Sequence, residues 1–325
     1  MLKRSFAAIA MVIPMLLVKN ATAADAYPTK PIKLIVPYTA GGSTDNIARL
    51  LAERLRLELK QPVVVENRPG GNNLIAARAL LASQPDGYTL MLATNGLLAV
   101  APALYGKLPF DPVNGFSHLG FVSGYPYVVV TGAHDTKRSL QDYIVRAREK
   151  PKSVSYMVVG NVTAIAGAML KSRSKADLLE VRYKGGADAI SDLIAGRVDL
   201  GLIAPSVASP LIKSGKLSPL AVTTKSRFNA MPDVQTVGEA GGGLEEFHVD
   251  VWSALVAPPG VSPQIASRVA QALGNITKDS AFATDLAKNG EYPIQGGPTD
   301  VKARVGREMP KWKSVVESTG MSLIQ

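Results

Sequence analysis

The stretch 32-IKLIVPYTAGGSTDNIARLLAERL-55 decides how the chain is read. Ile32–Tyr38 is an apolar run with the length and β-branched content of a buried strand. Ile47, Leu50, Leu51 and Leu55, with the stem of Arg54, recur at helical spacing and predict a helix over Ser43–Leu59. Between them lies Thr39-Ala40-Gly41-Gly42-Ser43-Thr44-Asp45. In an α/β sheet, ligands sit beyond the carboxyl ends of strands, near helix N-termini. The first helical amides lack intrahelical partners and carry the positive end of the dipole, so they stabilise an anion without a charged side chain. Gly41 and Gly42 let the backbone approach a guest closely. Ser43 or Thr44 can cap the helix or offer a hydroxyl. The turn has no lysine after its glycines, so it is not a G-x-x-x-x-G-K-[ST] phosphate loop, and it lacks G-x-G-x-x-G. Asp45 would repel a multiply charged phosphate. A carboxylate suits the turn better; spacing alone leaves an ordinary tight turn open.

Outward from this stretch the pattern continues. Strands are expected at Val63–Glu66 and Thr89–Thr94, with a helix at Leu74–Ala82, and this order implies parallel pairing through right-handed crossovers. A less regular section follows, punctuated by Pro102, Pro109, Pro112 and Gly115. A second α/β unit then reads as strands at Val128–Thr131, Val154–Val159, Val181–Tyr183, Leu200–Ile203 and Leu220–Thr223. Helices at Ser139–Lys150, Ala164–Lys171, Ala187–Ala195 and Val207–Ser214 alternate with them. A long strand, Val249–Ala257, leads to helices at Pro263–Asn275, Ala281–Lys288 and Thr299–Thr319. The loop Gly160-Asn161-Val162-Thr163 repeats the logic of the first turn, with Thr163 as its expected N-cap. Two such turns, one per unit, point to a cleft with helix ends on both walls.

The chain has 325 residues, 46% hydrophobic and 19% charged, enough for roughly two domains. Residues 1–24 show a short basic start, an apolar run from Ser5 to Val18 and the small-x-small site Ala21-Thr22-Ala23. This is the order of a cleavable secretory signal peptide, and the run is shorter than the ~20 residues a spanning helix needs. Export to the periplasm is expected. The formal charge is +10; removing Lys3, Arg4 and Lys19 with the leader leaves +7, scattered rather than clustered, so no nucleic-acid surface is expected. There are no cysteines, so no bridge or thiol nucleophile exists. His118, His134 and His248 lack metal-ligand spacing. No G-x-S-x-G motif is present. No cofactor, metal or catalytic residue is expected. Trp252 and Phe247 read as core, and Tyr183 as core or cleft.

Five segments in order, YPTKPIKLIVPYTAGGSTDNIAR, VENRPGGNNLIAARAL, PDGYTLMLAT, VRYKGGADAISDLIAGRVDL and PGVSPQIASRVAQAL, resemble the Bug (TctC-like) extracytoplasmic solute receptors over essentially the whole mature chain. The resemblance implies an α/β, two-lobed periplasmic-binding-protein (Venus-flytrap, type II) fold with mostly parallel sheets. It implies a monomer whose cleft holds a small carboxylate, partly through ordered water, and whose partners are membrane permease subunits or a sensor kinase. By position it places Tyr38, Ala40, Gly41, Gly42, Ser43, Thr44 and Asp45 on one wall and Asn161 and Thr163 on the other. Thr94, Asn95, Tyr183, Ala204 and Ser206 fall near the cleft at strand ends. The expected lobes are residues 25–124 with 226–325, and 125–225, with crossings near Phe121–Tyr125 and Thr223–Arg227. The chain departs from the pattern at Thr39, Asn72, Asn73, Val162, Ala166, Gly167 and Arg182. Asparagine tolerates positive φ, so the Asn72-Asn73 turn is expected to survive. The alternatives are a secreted enzyme using Ser43 or Thr44 with Asp45, and a sensor partner without transport.

Overall fold

The computed structural model describes residues 27–135 and 138–321; the expected leader, residues 1–24, lies outside them. The chain opens as β1 (Ile32–Val36), α1 (Ser43–Leu59), β2 (Val63–Asn67), α2 (Leu74–Leu81) and β3 (Thr89–Thr94). Strand β1 lies between β2 and β3 and is parallel to both. Helix α1 buries Ile47, Leu51, Leu55 and Leu59, the face its periodicity foretold. Asn72 and Asn73 both take positive φ, 49° and 77°, so two asparagines do form the left-handed turn that leads into α2.

After β3 the backbone makes a π-type turn over Gly96–Val100 and a short helix, α3 (Ala101–Leu104). Then comes a strand that the sequence pattern hid, β4 (Ser117–Pro126), continued after one residue by β5 (Val128–Gly132). Glycines interrupt the apolar pattern of β4, and its register against its neighbour slips twice. Gly120 has φ +151°, and a Cβ there would lie 3.0 Å from Leu273 Cδ2 and 3.1 Å from Gly296 O. No side chain fits at that bend.

The second unit runs α4 (Leu140–Glu149), β6 (Ser155–Val158), α5 (Asn161–Ser174), β7 (Leu179–Arg182), α6 (Gly186–Ile194), β8 (Gly201–Ile203), α7 (Pro205–Lys213) and β9 (Leu217–Val222). The chain closes with β10 (Asp250–Ala257), α8 (Pro263–Lys278), α9 (Ser280–Lys288), β11 (Tyr292–Pro293) and α10 (Pro298–Thr319). The first sheet has the order β11-β4-β10-β3-β1-β2. In the second unit β5 lies between β8 and β9, and β6 pairs with β7. Pairing is parallel within the strand–helix–strand units, β2-β1-β3 and β6-β7. It is antiparallel where β4, β5, β9 and β10 carry the chain between units, because those strands enter from the other side.

The two crossings lie side by side. Tyr127 N donates to Thr223 Oγ1 at 2.8 Å, Thr223 N to Tyr127 O at 3.0 Å, and Val249 N to Thr223 O at 3.0 Å. The first crossing was expected at Phe121–Tyr125. Those residues instead run alongside β10 within the first sheet, and the chain leaves at Tyr127. Behind the crossings, Trp252 of β10 meets Phe121 edge to face at 5.3 Å, and Trp252 Nε1 donates to Glu308 at 3.0 Å. Arg304 of α10 bridges Asp250 (2.9 Å) and Glu308 (2.7 Å) and lies over the Trp252 ring. Gly167, where the family pattern carries leucine, lies under the Tyr156 ring, which a Cβ would strike. No described helix is long and apolar enough to cross a membrane.

Trp252 is fully buried. Trp252→Ala is expected to lower unfolding free energy by about 3–5 kcal/mol, read from urea titrations followed by circular dichroism. A loss below about 1 kcal/mol would show that this packing does not hold the fold.

A candidate ligand site between the two lobes

The N-cap of α1 is Gly42, at φ −80° and ψ 170°, rather than Ser43 or Thr44. Gly41 before it stands at φ 82°, which demands glycine. Asp45 ties the turn shut from inside. Its Oδ2 accepts from Gly41 N and Arg49 Nε, both at 2.9 Å, and its Oδ1 from Asn67 Nδ2 at 2.8 Å. Burial pushes the Asp45 carboxyl up, but the bonds from Arg49, Gly41 and Asn67 outweigh it and hold it below the usual range. These bonds engage the Asp45 side chain in shaping the turn and leave its backbone amide as the group turned outward. The amides of Gly42, Ser43, Thr44 and Asp45 meet no protein acceptor among the described residues.

Helix α5 starts three residues before its expected start, with Gly160 at φ 87° as N-cap. Thr163 is therefore inside the first turn, not the cap. Its hydroxyl accepts from Val159 N at 2.9 Å and donates to Gly160 O at 3.1 Å, which fixes the loop. The amides of Asn161, Val162 and Thr163 find no acceptor among the described residues. A Cβ on Gly160 or on Gly41 would meet nothing within 4 Å.

The two helix mouths belong to different lobes, and contacts close around them. Asn161 Nδ2 donates to Gly96 O at 3.2 Å. A Cβ on Gly96 would lie 3.2 Å from Val162 Cγ2 and 3.8 Å from the Tyr38 hydroxyl. That hydroxyl bonds Thr94 Oγ1 and Asn73 Nδ2, both at 3.0 Å. Asn95 is fully buried; its Nδ2 donates to Asp250 O at 2.9 Å and its Oδ1 has no partner. It braces β3 against β10 rather than facing open space. On the other side, Ala204 caps α7, Pro205 sits where a Cβ on Gly290 would go, and Ser206 Oγ is buried without a partner. Tyr183 turns its hydroxyl to Asp192 of α6 at 2.8 Å and packs within the second lobe.

Three residues that sequence reasoning missed complete the arrangement. Tyr125 and Tyr127 stand at the crossing with ring centroids 5.9 Å apart. Burial raises the Tyr125 phenol well above its ordinary value, helped by nearby Tyr127, Glu291 and Tyr38, while Ser43 pulls it back. Glu291 is 3% exposed. Ser43 Oγ donates to its Oε1 at 2.7 Å and Ser123 Oγ to its Oε2 at 3.2 Å. Burial pushes this carboxyl up to about 8, against the pull of the two serines. Ser43 and Glu291 are 248 positions apart, so no local pattern joins them. Among the described residues no three His, Asp or Glu side chains gather as a metal site.

Two α/β lobes joined by two adjacent crossings are the layout of a solute-binding protein of the periplasmic type. Residues 47–321 match the sequence pattern of the tripartite tricarboxylate transporter family receptor, TctC, and the chain belongs to that family. It is 32% identical to Protein BugT of Bordetella pertussis over 303 residues, 92% of each chain. Among solved structures, R. palustris Rpa4515 with adipate superposes with a TM-score of 0.86 at 29% identity, covering 91% of this chain and 99% of that one. The periplasmic binding protein BugD superposes at 0.83, also at 29% identity, covering 91% of this chain and 99% of its own.

Glu291 has a folded-state pKa above that of the unfolded chain. Between about 4.5 and about 8 the folded state holds a proton that the unfolded state has lost, so stability falls as pH rises through that window. Glu291→Gln removes this dependence. Thermal melts at pH 5 and pH 9 are expected to show wild type losing ground to the variant at the higher pH. An unchanged gap would mean that Glu291 ionises as a solvated acid.

Proposed function

We propose that this protein is a periplasmic receptor that binds one small carboxylate between its lobes and delivers it to a tripartite tricarboxylate-type membrane permease. The observation that carries the reading is the pair of helix mouths. The amides of Ser43 and Thr44 on α1 and of Asn161 and Val162 on α5 lack protein acceptors among the described residues, and Gly96 brings the two helix starts near each other through Asn161 and Val162. Helix-start amides have no intrahelical partner, and a carboxylate between two positive helix ends supplies several at once. The adipate-bound relative supports the ligand class. Tyr38, Ala40, Gly41, Gly42 and Ser43 form one wall, Asn161 with Ala204 and Ser206 the other. The apolar part of a ligand would lie against Tyr125 and Tyr127.

The lobes divide as residues 25–124 with 226–325, and 125–225, with one adjustment. Residues 226–248 travel with the second lobe, because Val222 N donates to Gln235 O at 2.8 Å, Val237 N to Val222 O at 2.9 Å, and Arg148 Nη2 to Gly242 O at 2.8 Å. Closure turns on the Tyr127–Thr223 pair as a hinge. The ligand leaves unaltered. Ser43, one of the two candidate nucleophiles at the turn, faces a carboxyl that is mostly protonated at neutral pH and therefore a poor general base.

Calorimetry with a panel of mono-, di- and tricarboxylates is expected to show one-to-one binding, and mass spectrometry to recover the ligand unchanged. At φ −80° Gly42 accepts any side chain without backbone strain. Gly42→Trp therefore tests space alone, and a loss of at least ~100-fold in affinity, about 2.7 kcal/mol, is expected. Wild-type affinity in that variant would remove the α1 turn from the site; turnover of the ligand would replace the receptor reading with an enzymatic one.

A further inference from the structure

Three acids are buried among the described residues: Asp45, Asp250 and Glu291. Asp45 pairs with Arg49 at 2.9 Å and Asp250 with Arg304 at 2.9 Å. Glu291 has no ion pair among the described residues. Its surroundings come from every element packed on it. Ser43 of α1 and Ser123 of β4 bond its two oxygens. Ser253 of β10 bonds Ser123 Oγ at 3.1 Å. The phenol of Tyr125 stands close by, with Tyr38 and Tyr127 beyond it. Pro205 of α7 presses on Gly290, the residue before it. None of these is a cation. A buried carboxyl without a counter-charge is costly, and a protein that keeps one ordinarily supplies a partner.

The position says what that partner is. Glu291 Oε1 is 2.7 Å from the hydroxyl of Ser43, the first residue of α1. The carboxyl therefore stands beside the acceptor-free amides at that helix mouth, at the seam where Gly290 meets the other lobe. A positive helix end and a carboxyl that turns negative on ionising lie a few ångströms apart. That is the charge pattern of a zwitterion, reversed.

We propose that Glu291 is a specificity-determining residue that receives the protonated nitrogen of an amino-carboxylate ligand, whose carboxylate sits on the amides of α1. The inference rests on the carboxylate-receptor reading and narrows it to amino acids or related zwitterions. Binding of the ammonium group ionises Glu291, and the proton passes to solvent. A carboxylate that lacks the nitrogen must instead keep Glu291 protonated, since two like charges would otherwise meet, and it draws a proton from solvent. The two ligand types therefore differ in the sign of proton exchange.

The test is calorimetry at pH 7 in two buffers of different ionisation enthalpy. Its probes are the matched pairs 2-aminoadipate with adipate and glutamate with glutarate. For at least one pair, wild type is expected to bind the amino acid tenfold or more tighter than its des-amino partner, with net proton release. Glu291→Gln, whose fold is checked by its melting curve, is expected to lose both the preference and the release. Equal or tighter binding of the des-amino acid by wild type, or a preference that survives in Glu291→Gln, overturns the inference and leaves the carboxylate receptor standing. Binding of no carboxylate at all overturns both.

Discussion

Backbone amides at a helix N-terminus have no partner within the helix, and burial makes that deficit costly. Three helices resolve it with a capping side chain. Ser139 caps α4 through a reciprocal capping box, Ser262 caps α8 and Asp279 caps α9. Helices α2, α3 and α10 have no N-cap side-chain hydrogen bond, and neither do α1, α5, α6 and α7. The last four follow strands β1, β6, β7 and β8 and begin where those strands end.

The crossings make this arrangement usable. A single connection would let the lobes drift, whereas Tyr127 and Thr223 hold two chain passages together by backbone and side-chain bonds. The Trp252–Phe121–Arg304 cluster braces β10 and β4 immediately beneath. Asn161 and Gly96 touch on one side of the cleft and Pro205 and Gly290 on the other.

Much of this was legible in the sequence where the signal is local. The boundaries of α1 and β3 follow from apolar spacing, and the positive-φ turn at Asn72-Asn73 from the known tolerance of asparagine. What failed was non-local. Strand β4 was hidden by Gly120 and Gly124, whose role is to pass close to Leu273, Gly296 and Ile294. Thr163 looked like a cap, but its hydroxyl closes the loop behind a helix that begins earlier. Asp45 carries the right charge for a first turn, but the partners of its oxygens include Asn67 of β2, which no local pattern gives. Glu291 lies in a short link between α9 and β11, and only the fold brings it to Ser43. Residues that act through partners hundreds of positions away leave no periodicity to find.

The central claim is that exposed main-chain amides at α1 and α5 hold the ligand. Backbone NMR with isotope-labelled protein tests it directly. On saturation with adipate or 2-aminoadipate, the largest amide shifts are expected at Gly42–Thr44 and Asn161–Thr163, with the capped starts of α4, α8 and α9 unmoved. Full binding with those first two sets unchanged, and the shifts gathered elsewhere, would contradict the account.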